Sequence, residues 1–222
     1  LGFNGKTMPT TMLLSVTAGL TDVSLISNLD LVDRLWKNRP SLPVSEIYTL
    51  GIGQSGLSST AKIALVRAQL KQESANTFVL SALEDIAWLF NMRASDIEHT
   101  PVFLSFAVIS LTDVTLFVNK KSLTQDSINQ LYINKVSVVD YSKFYSEMKN
   151  IKEKIVLLDK SKTNYLTYKT LKENNDLILK ANPTLLLKAI KNKVEIANTK
   201  VAHINDGLVM TKFMYYLKNN IE

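Results

Sequence analysis

An α/β fold, with a mixed β-sheet flanked by helices on both faces, is predicted for this 222-residue chain by three features. Short strand-like apolar runs alternate with amphipathic helical segments along most of its length. Two of those runs, 103–109 and 114–118, are separated only by a short turn around Thr112-Asp113, which marks a hairpin at the centre of the domain. Hydrophobic residues make up 46% of the chain, ample for a buried core.

In chain order, residues 1–4 and 22–26 read as short strands flanking an apolar segment at 12–20, and 29–36 reads as a short helix. The run Asn38-Arg39-Pro40 through Pro43 breaks the pattern, leaving 46–50 as one further possible strand. A helix is predicted over 58–70, with Ile63, Val66 and Leu70 on one face and Ser58 or Ser59 to cap its first turn. Residues 77–80 follow as a buried strand. Ser81 and Glu84, three apart, have the spacing of a capping box that starts a helix over 82–90. Beyond the hairpin, strand-like runs recur at 136–139, 155–158 and 177–179, separated by amphipathic helices of about three turns. Residues 194–217 carry Val194, Ala197, Val201, Ile204, Leu208 and Leu217 on one stripe, which predicts a longer helix with no following element to pack on. Gly207 inside it costs about 1 kcal/mol relative to alanine, which suggests close approach by another segment.

The net charge of +6 is unevenly distributed: residues 1–119 hold 8 Lys/Arg against 10 Asp/Glu, and residues 120–222 hold 18 against 10. A basic half could attract nucleic acid or acidic peptides, with Tyr132, Tyr141, Tyr145, Tyr165 and Tyr168 to stack on bases. Its lysines, however, are scattered over polar positions of amphipathic segments, so a solvated surface is expected and nucleic acid is not an expected partner. The most apolar region, 101–118, is interrupted by Ser105, Ser110, Thr112, Asp113 and Thr115. That falls short of the roughly 20 uninterrupted apolar residues of a membrane-spanning helix, so no membrane partner is expected. Cysteine is absent, which excludes disulfides, cysteine-ligated zinc and thiol catalysis. No secretory signal pattern is visible, and a cytoplasmic protein is expected; Leu1 in place of Met suggests a fragment or processed product.

Chemistry-bearing residues are sparse. His99 and His203 lie about a hundred positions apart, and neither has a second His or a carboxylate at metal-site spacing. No serine lies in a Gly-x-Ser-x-Gly turn; Ser55, in Gly53-Gln54-Ser55-Gly56, comes nearest. Gly51, Gly53 and Gly56 satisfy a Gly-x-Gly-x-x-Gly spacing, but no acidic residue ends a second strand about twenty residues on, so a linker is expected there. Trp88 reads as core, and His203 with Asp206 as an i, i+3 pair on a helix surface. Asn91, Arg93, Asp96 and His99 are the polar residues able to converge, in a loop held between a helix and the hairpin. Their structural role would be internal: Arg93 paired with Asp96 or Glu98, and His99 and Asn91 bonded to the loop backbone.

The ordered block Asp85-Ile86-Ala87-Trp88-Leu89-Phe90-Asn91, then Arg93, Asp96 and His99, then Pro101-Val102-Phe103, then Leu116-Phe117-Val118 closely resembles the signature of the second domain of three-domain Xaa-Pro aminopeptidases, of the creatinase and prolidase superfamily. Asp30-Leu31-Val32-Asp33-Arg34-Leu35-Trp36, followed by Arg39-Pro40, is similar to the exit from their first domain. Glu195, Ala202-His203 and Asp206 resemble positions in the first helix of their pita-bread catalytic domain. The resemblance implies three parts: the end of a first creatinase-like domain and linker over 1–55, a creatinase-type second domain with a mixed sheet over 56–192, and the start of a truncated pita-bread domain over 193–222. For the complete enzyme it implies two metal ions, usually manganese, bound by Asp, His and Glu residues beyond that first helix. It also implies release of the residue preceding proline from peptides with proline at the second position, and a homodimer. The chain itself is then expected to contain no catalytic residue and no metal ligand, to lack peptidase activity, and to restrict access to a cleft completed by the remainder of the catalytic domain. Asn91, Arg93, Asp96 and His99 are the candidates for the wall of that cleft. The alternative is a non-catalytic, chaperone-type module that binds histones or other proteins.

Overall fold

The computed structural model describes residues 1–221. The chain runs through α1 (Thr10–Thr17), α2 (Leu31–Leu35), β1 (Tyr48–Thr49), α3 (Ile52–Ser55), α4 (Ser59–Gln72), β2 (Thr77–Leu80), α5 (Leu83–Phe90) and β3 (Met92–Arg93). The hairpin β4 (Ser105–Ser110) and β5 (Val114–Val118) leads to α6 (Gln125–Ile133), β6 (Val136–Asp140), α7 (Phe144–Met148) and β7 (Ile155–Leu158). After these come α8 (Tyr165–Lys172), β8 (Asp176–Leu179), α9 (Pro183–Ala189) and α10 (Lys193–Asn220).

Six strands form one mixed sheet in the order β6-β5-β4-β2-β7-β8. The β2–β4 and β4–β5 pairs are antiparallel, and the β5–β6, β2–β7 and β7–β8 pairs are parallel. Crossover helices α6 and α8 carry two of the parallel connections, as parallel neighbours require. Strand β2 is central and buried at all four residues, which accounts for its unbroken Thr-Phe-Val-Leu run. Its alternation divides the core: Phe78 and Leu80 meet Ile63, Val66 and Leu70 of α4 and Ile86, Leu89 and Phe90 of α5 on one face. Val79 meets Phe144, Met148, Tyr168 and Leu171 on the other. Helices therefore cover both faces, as the sequence predicts.

Several local expectations are corrected. Residues 1–4 and 22–26 form no strands: the isolated bridge Gly2–Ile26 joins them and Asn4–Asn28 follows just beyond, because a two-segment pairing has too few neighbours to extend a ladder. Ser58 does cap α4, accepting from the Ala61 N–H at 3.2 Å. Ser81 does not cap α5: the N-cap is Ala82, which makes no side-chain bond, and the Ser81 hydroxyl donates instead to the Lys162 carbonyl at 2.8 Å. A tertiary acceptor has displaced the local one. Tyr141, Tyr145, Tyr165 and Tyr168 pack in or against the second core cluster, while Tyr132 alone of the five stands 83% exposed, so no tyrosine surface for base stacking forms. Trp88 is core, as expected.

The predicted long helix extends as α10 for 28 residues, with none of its side chains buried. Asn192 caps it through a capping box with Glu195 and also donates to the Ser55 carbonyl at 2.9 Å, tying the helix start to α3. Nothing lies within 4 Å of a side chain at Gly207, so the close approach expected there is not made by the described residues. No helix among the described residues is long and apolar enough to cross a membrane.

Candidate functional site

Helix α5 ends where Asn91 takes a left-handed conformation, φ 52°, which asparagine tolerates better than most residues. The carbonyls of its last turn need donors, and side chains from three other places supply them. Arg93 Nη1 donates to the Ala87 carbonyl at 2.7 Å, Lys62 Nζ to the Trp88 carbonyl at 2.9 Å, and Gln130 Nε2 to the Phe90 carbonyl at 2.5 Å. Lys62 Nζ also donates to Asn91 Oδ1 at 2.6 Å and sits 4.5 Å from the centre of the Trp88 ring. Asn91 Nδ2 in turn donates to the Leu57 carbonyl at 2.8 Å.

Lys62, Ala87, Trp88, Asn91 and Arg93 border a cavity of about 500 Å³ between the end of α5, the α3 segment and the first turns of α10. Lys62 is only 2% exposed, and loss of hydration lowers its pKa to about 8; Glu195 opposes the shift, while Arg93 and Lys191 add to it. Burial likewise holds the Arg93 guanidinium below its usual range, opposed by Tyr48 and Glu195. The arrangement can bind and orient a negatively charged or hydrogen-bond-accepting group.

Of the four residues proposed from sequence, Asn91 and Arg93 border this cavity and Asp96 and His99 do not. Asp96 accepts from the Ser45 N–H at 2.8 Å, the Ser45 hydroxyl at 2.6 Å and the Leu104 N–H at 2.8 Å, so it joins the segment before β1 to the entry of β4. His99, at φ 60° and with its side chain 91% exposed, approaches only Glu98 at 3.4 Å. The expected pairing of Arg93 with Asp96 or Glu98 does not form, because three donors already occupy Asp96 and the helix carbonyls draw the guanidinium away. Asn91 bonds Leu57 and Lys62 rather than its own loop. His203 and Asp206 stand exposed on α10 with no hydrogen bond between them among the described residues.

Two functional-looking groups escaped the sequence reading. Lys62 lies beside Ile63 and four residues before Val66, a lysine on the apolar face of an amphipathic helix, and that placement was its signal. Asp85 is buried and receives Lys188 Nζ at 2.6 Å and the Thr184 hydroxyl at 2.8 Å, which locks α5 to α9. No local pattern announces a partner a hundred residues away.

The donor set does not fit the two metal ions that the resemblance implies for the complete enzyme: among the described residues, no three His, Asp or Glu side chains converge where they could hold one.

Comparison with known proteins places the chain in a family. The Creatinase/Prolidase N-terminal domain pattern matches residues 38–195. The chain is 35% identical over 184 residues to Xaa-Pro aminopeptidase 1 of Dictyostelium discoideum, covering 82% of this chain and 29% of that protein. It is 33% identical over 198 residues to Xaa-Pro aminopeptidase ApepP of Drosophila melanogaster, covering 86% and 32% respectively. The crystal structure of the X-prolyl aminopeptidase from Caenorhabditis elegans, described as a cytosolic enzyme with a di-nuclear active site, matches 99% of this chain and 37% of its own, with a TM-score of 0.89 at 24% identity. That likeness is one of fold. The chain spans about a third of the length of the curated relatives it matches. On the extent of its match, residues 38–195, the chain belongs to the Creatinase/Prolidase N-terminal domain family.

Proposed function

We propose that this chain is the non-catalytic portion of a metal-dependent Xaa-Pro aminopeptidase, which releases the N-terminal residue preceding proline, and that it scaffolds and narrows the approach to the cleft. In this proposal residues 1–55 end a first creatinase-like domain, 56–192 form the second, and 193–222 begin the catalytic domain. The observation that carries it is α10. Its apolar side chains, among them Ile204 at 72% and Leu208 at 55% exposure, need a cover, and the relatives are long enough to supply one. Helix α10 also borders the cavity holding Arg93 and Asn91, which supports these two as cleft-wall residues; Asp96 holds their loop, and His99 extends from its rim.

The catalytic remainder would supply the ligands of two metal ions, manganese by family resemblance, and the enzyme would act as a cytoplasmic homodimer. Naming of the relatives as aminopeptidases weighs against a chaperone-type binding module. The test compares the 222-residue chain with the complete enzyme on Xaa-Pro peptides in added manganese. Turnover by the complete enzyme alone is expected. Turnover by the isolated chain, or none by the complete protein, overturns the proposal.

A further inference from the structure

The cavity at the end of α5 holds more positive charge than the helix it caps can offset. A helix C-terminus presents roughly half a negative charge, whereas Lys62 and Arg93 bring two full positive ones. Neither forms a salt bridge among the described residues. Glu84 and Glu195 border the same cavity, but neither reaches ion-pair distance, and Glu195 already accepts from the Asn192 N–H at 3.0 Å.

Donors are left over as well. Two of the three N–H groups of Lys62 are used on Trp88 and Asn91, and the third has no acceptor among the described residues. Arg93 donates only through Nη1, to the Ala87 and Met92 carbonyls at 2.7 and 2.9 Å, leaving Nε and Nη2 without acceptors there. The Trp88 ring, 4.5 Å from Lys62 Nζ, partly offsets that open donor, and an arriving acceptor would pair with it and with the free edge of Arg93. Trp88, Pro101 and Val102 supply an apolar part of the lining, which also carries Lys188 and Lys191.

We propose that Lys62 and Arg93 form a receptor for an organic carboxylate, with the apolar remainder of the ligand lying against Trp88, Pro101 and Val102. A planar guanidinium and an ammonium lining one cavity offer a carboxylate two charged donors, and the apolar part of the lining favours an acid with a hydrocarbon body over a fully hydrated anion. Arg93 is shared with the cleft wall proposed above, yet the receptor does not depend on peptidase activity, since binding is read on this chain and cleft function on turnover of the complete enzyme.

Calorimetry on the 222-residue chain at pH 7 tests it with 3-phenylpropionate and its neutral analogue 3-phenylpropanamide. The acid is expected to bind at least tenfold more tightly than the amide, and Lys62→Met and Arg93→Gln are each expected to weaken the acid at least tenfold. A measurement on the unaltered protein guards against variants that fail to fold: bound acid should shift the Lys62 side-chain NMR signal and raise the pH at which it titrates in the presence of Glu84, Arg93, Lys191 and Glu195. Equal binding of acid and amide, unchanged affinity in folded variants, or a Lys62 signal insensitive to the acid overturns the proposal. The tripeptide Ala-Ala-Phe and its C-terminal amide distinguish the source: preference for the free tripeptide over 3-phenylpropionate identifies a peptide C-terminus, and the reverse order a small free acid, both in support of a carboxylate site.

Discussion

Lys62 Nζ lies 2.6 Å from Asn91 Oδ1, so the residue that turns the chain at the end of α5 also anchors a buried ammonium from α4. The two helices are thereby pinned at one point, and the loop carrying Arg93 departs from it. Removing either member should be felt in stability before it is felt in shape.

Burial lowers the Lys62 pKa to about 8 from 10.5, so between those values the folded chain binds fewer protons than the unfolded one. Stability should therefore rise with pH across that window, by an amount of order 3 kcal/mol, and be lowest for this residue below pH 8, where the buried ammonium is charged in both states. Urea unfolding over a pH series, compared with Lys62→Met, should show that rise in the parent and not in the variant.

Asn91→Ala loses the acceptor for Lys62, the donor to Leu57 and the tolerance for φ 52°. A loss of about 3 kcal/mol is expected in denaturant unfolding, from an unsatisfied buried cation and a left-handed backbone together. Asn91→Gly should recover only the backbone share.

The Asp85–Lys188 pair is asymmetric, with the Asp85 side chain 5% exposed and that of Lys188 29% exposed. Lys188→Met strands a buried carboxylate and should cost about 3 kcal/mol, whereas Asp85→Asn keeps a partner for Thr184 and leaves a lysine able to reach water, at about half that cost. The order of the two midpoints in thermal unfolding checks this.

Gly56 has φ 66°, and a Cβ there would overlap the Asn192 carboxamide that caps α10. Gly56→Ala should cost about 2 kcal/mol and also loosen the first turn of α10, which faster hydrogen exchange at Val194 and Glu195 would report. Unchanged exchange there would separate α3 from the helix cap.

For the cleft role, Arg93→Ala in the complete enzyme is expected to lower kcat/KM for Xaa-Pro peptides about tenfold with the fold retained. Equal turnover and affinity in parent and variant would remove Arg93 from the cleft wall.

The sheet, the hairpin, the α4 cap and α10 could all be read along the chain, because alternation, helical periodicity and serine capping act between residues a few positions apart. The block from Asp85 to Val118 likewise carried the family resemblance in its own order of residues. Packing decided the rest. Asn91, Arg93, Asp96 and His99 are neighbours in sequence, yet they part company because carbonyls of α5, the segment around Ser45 and open water each offer one of them a different partner. Lys62 joins the site, and Ser81 abandons its helix for Lys162, only once distant segments bring acceptors within reach. Hydrogen bonds and charges are satisfied by whatever lies close in space, and for these side chains that is settled only when the layers close over one another.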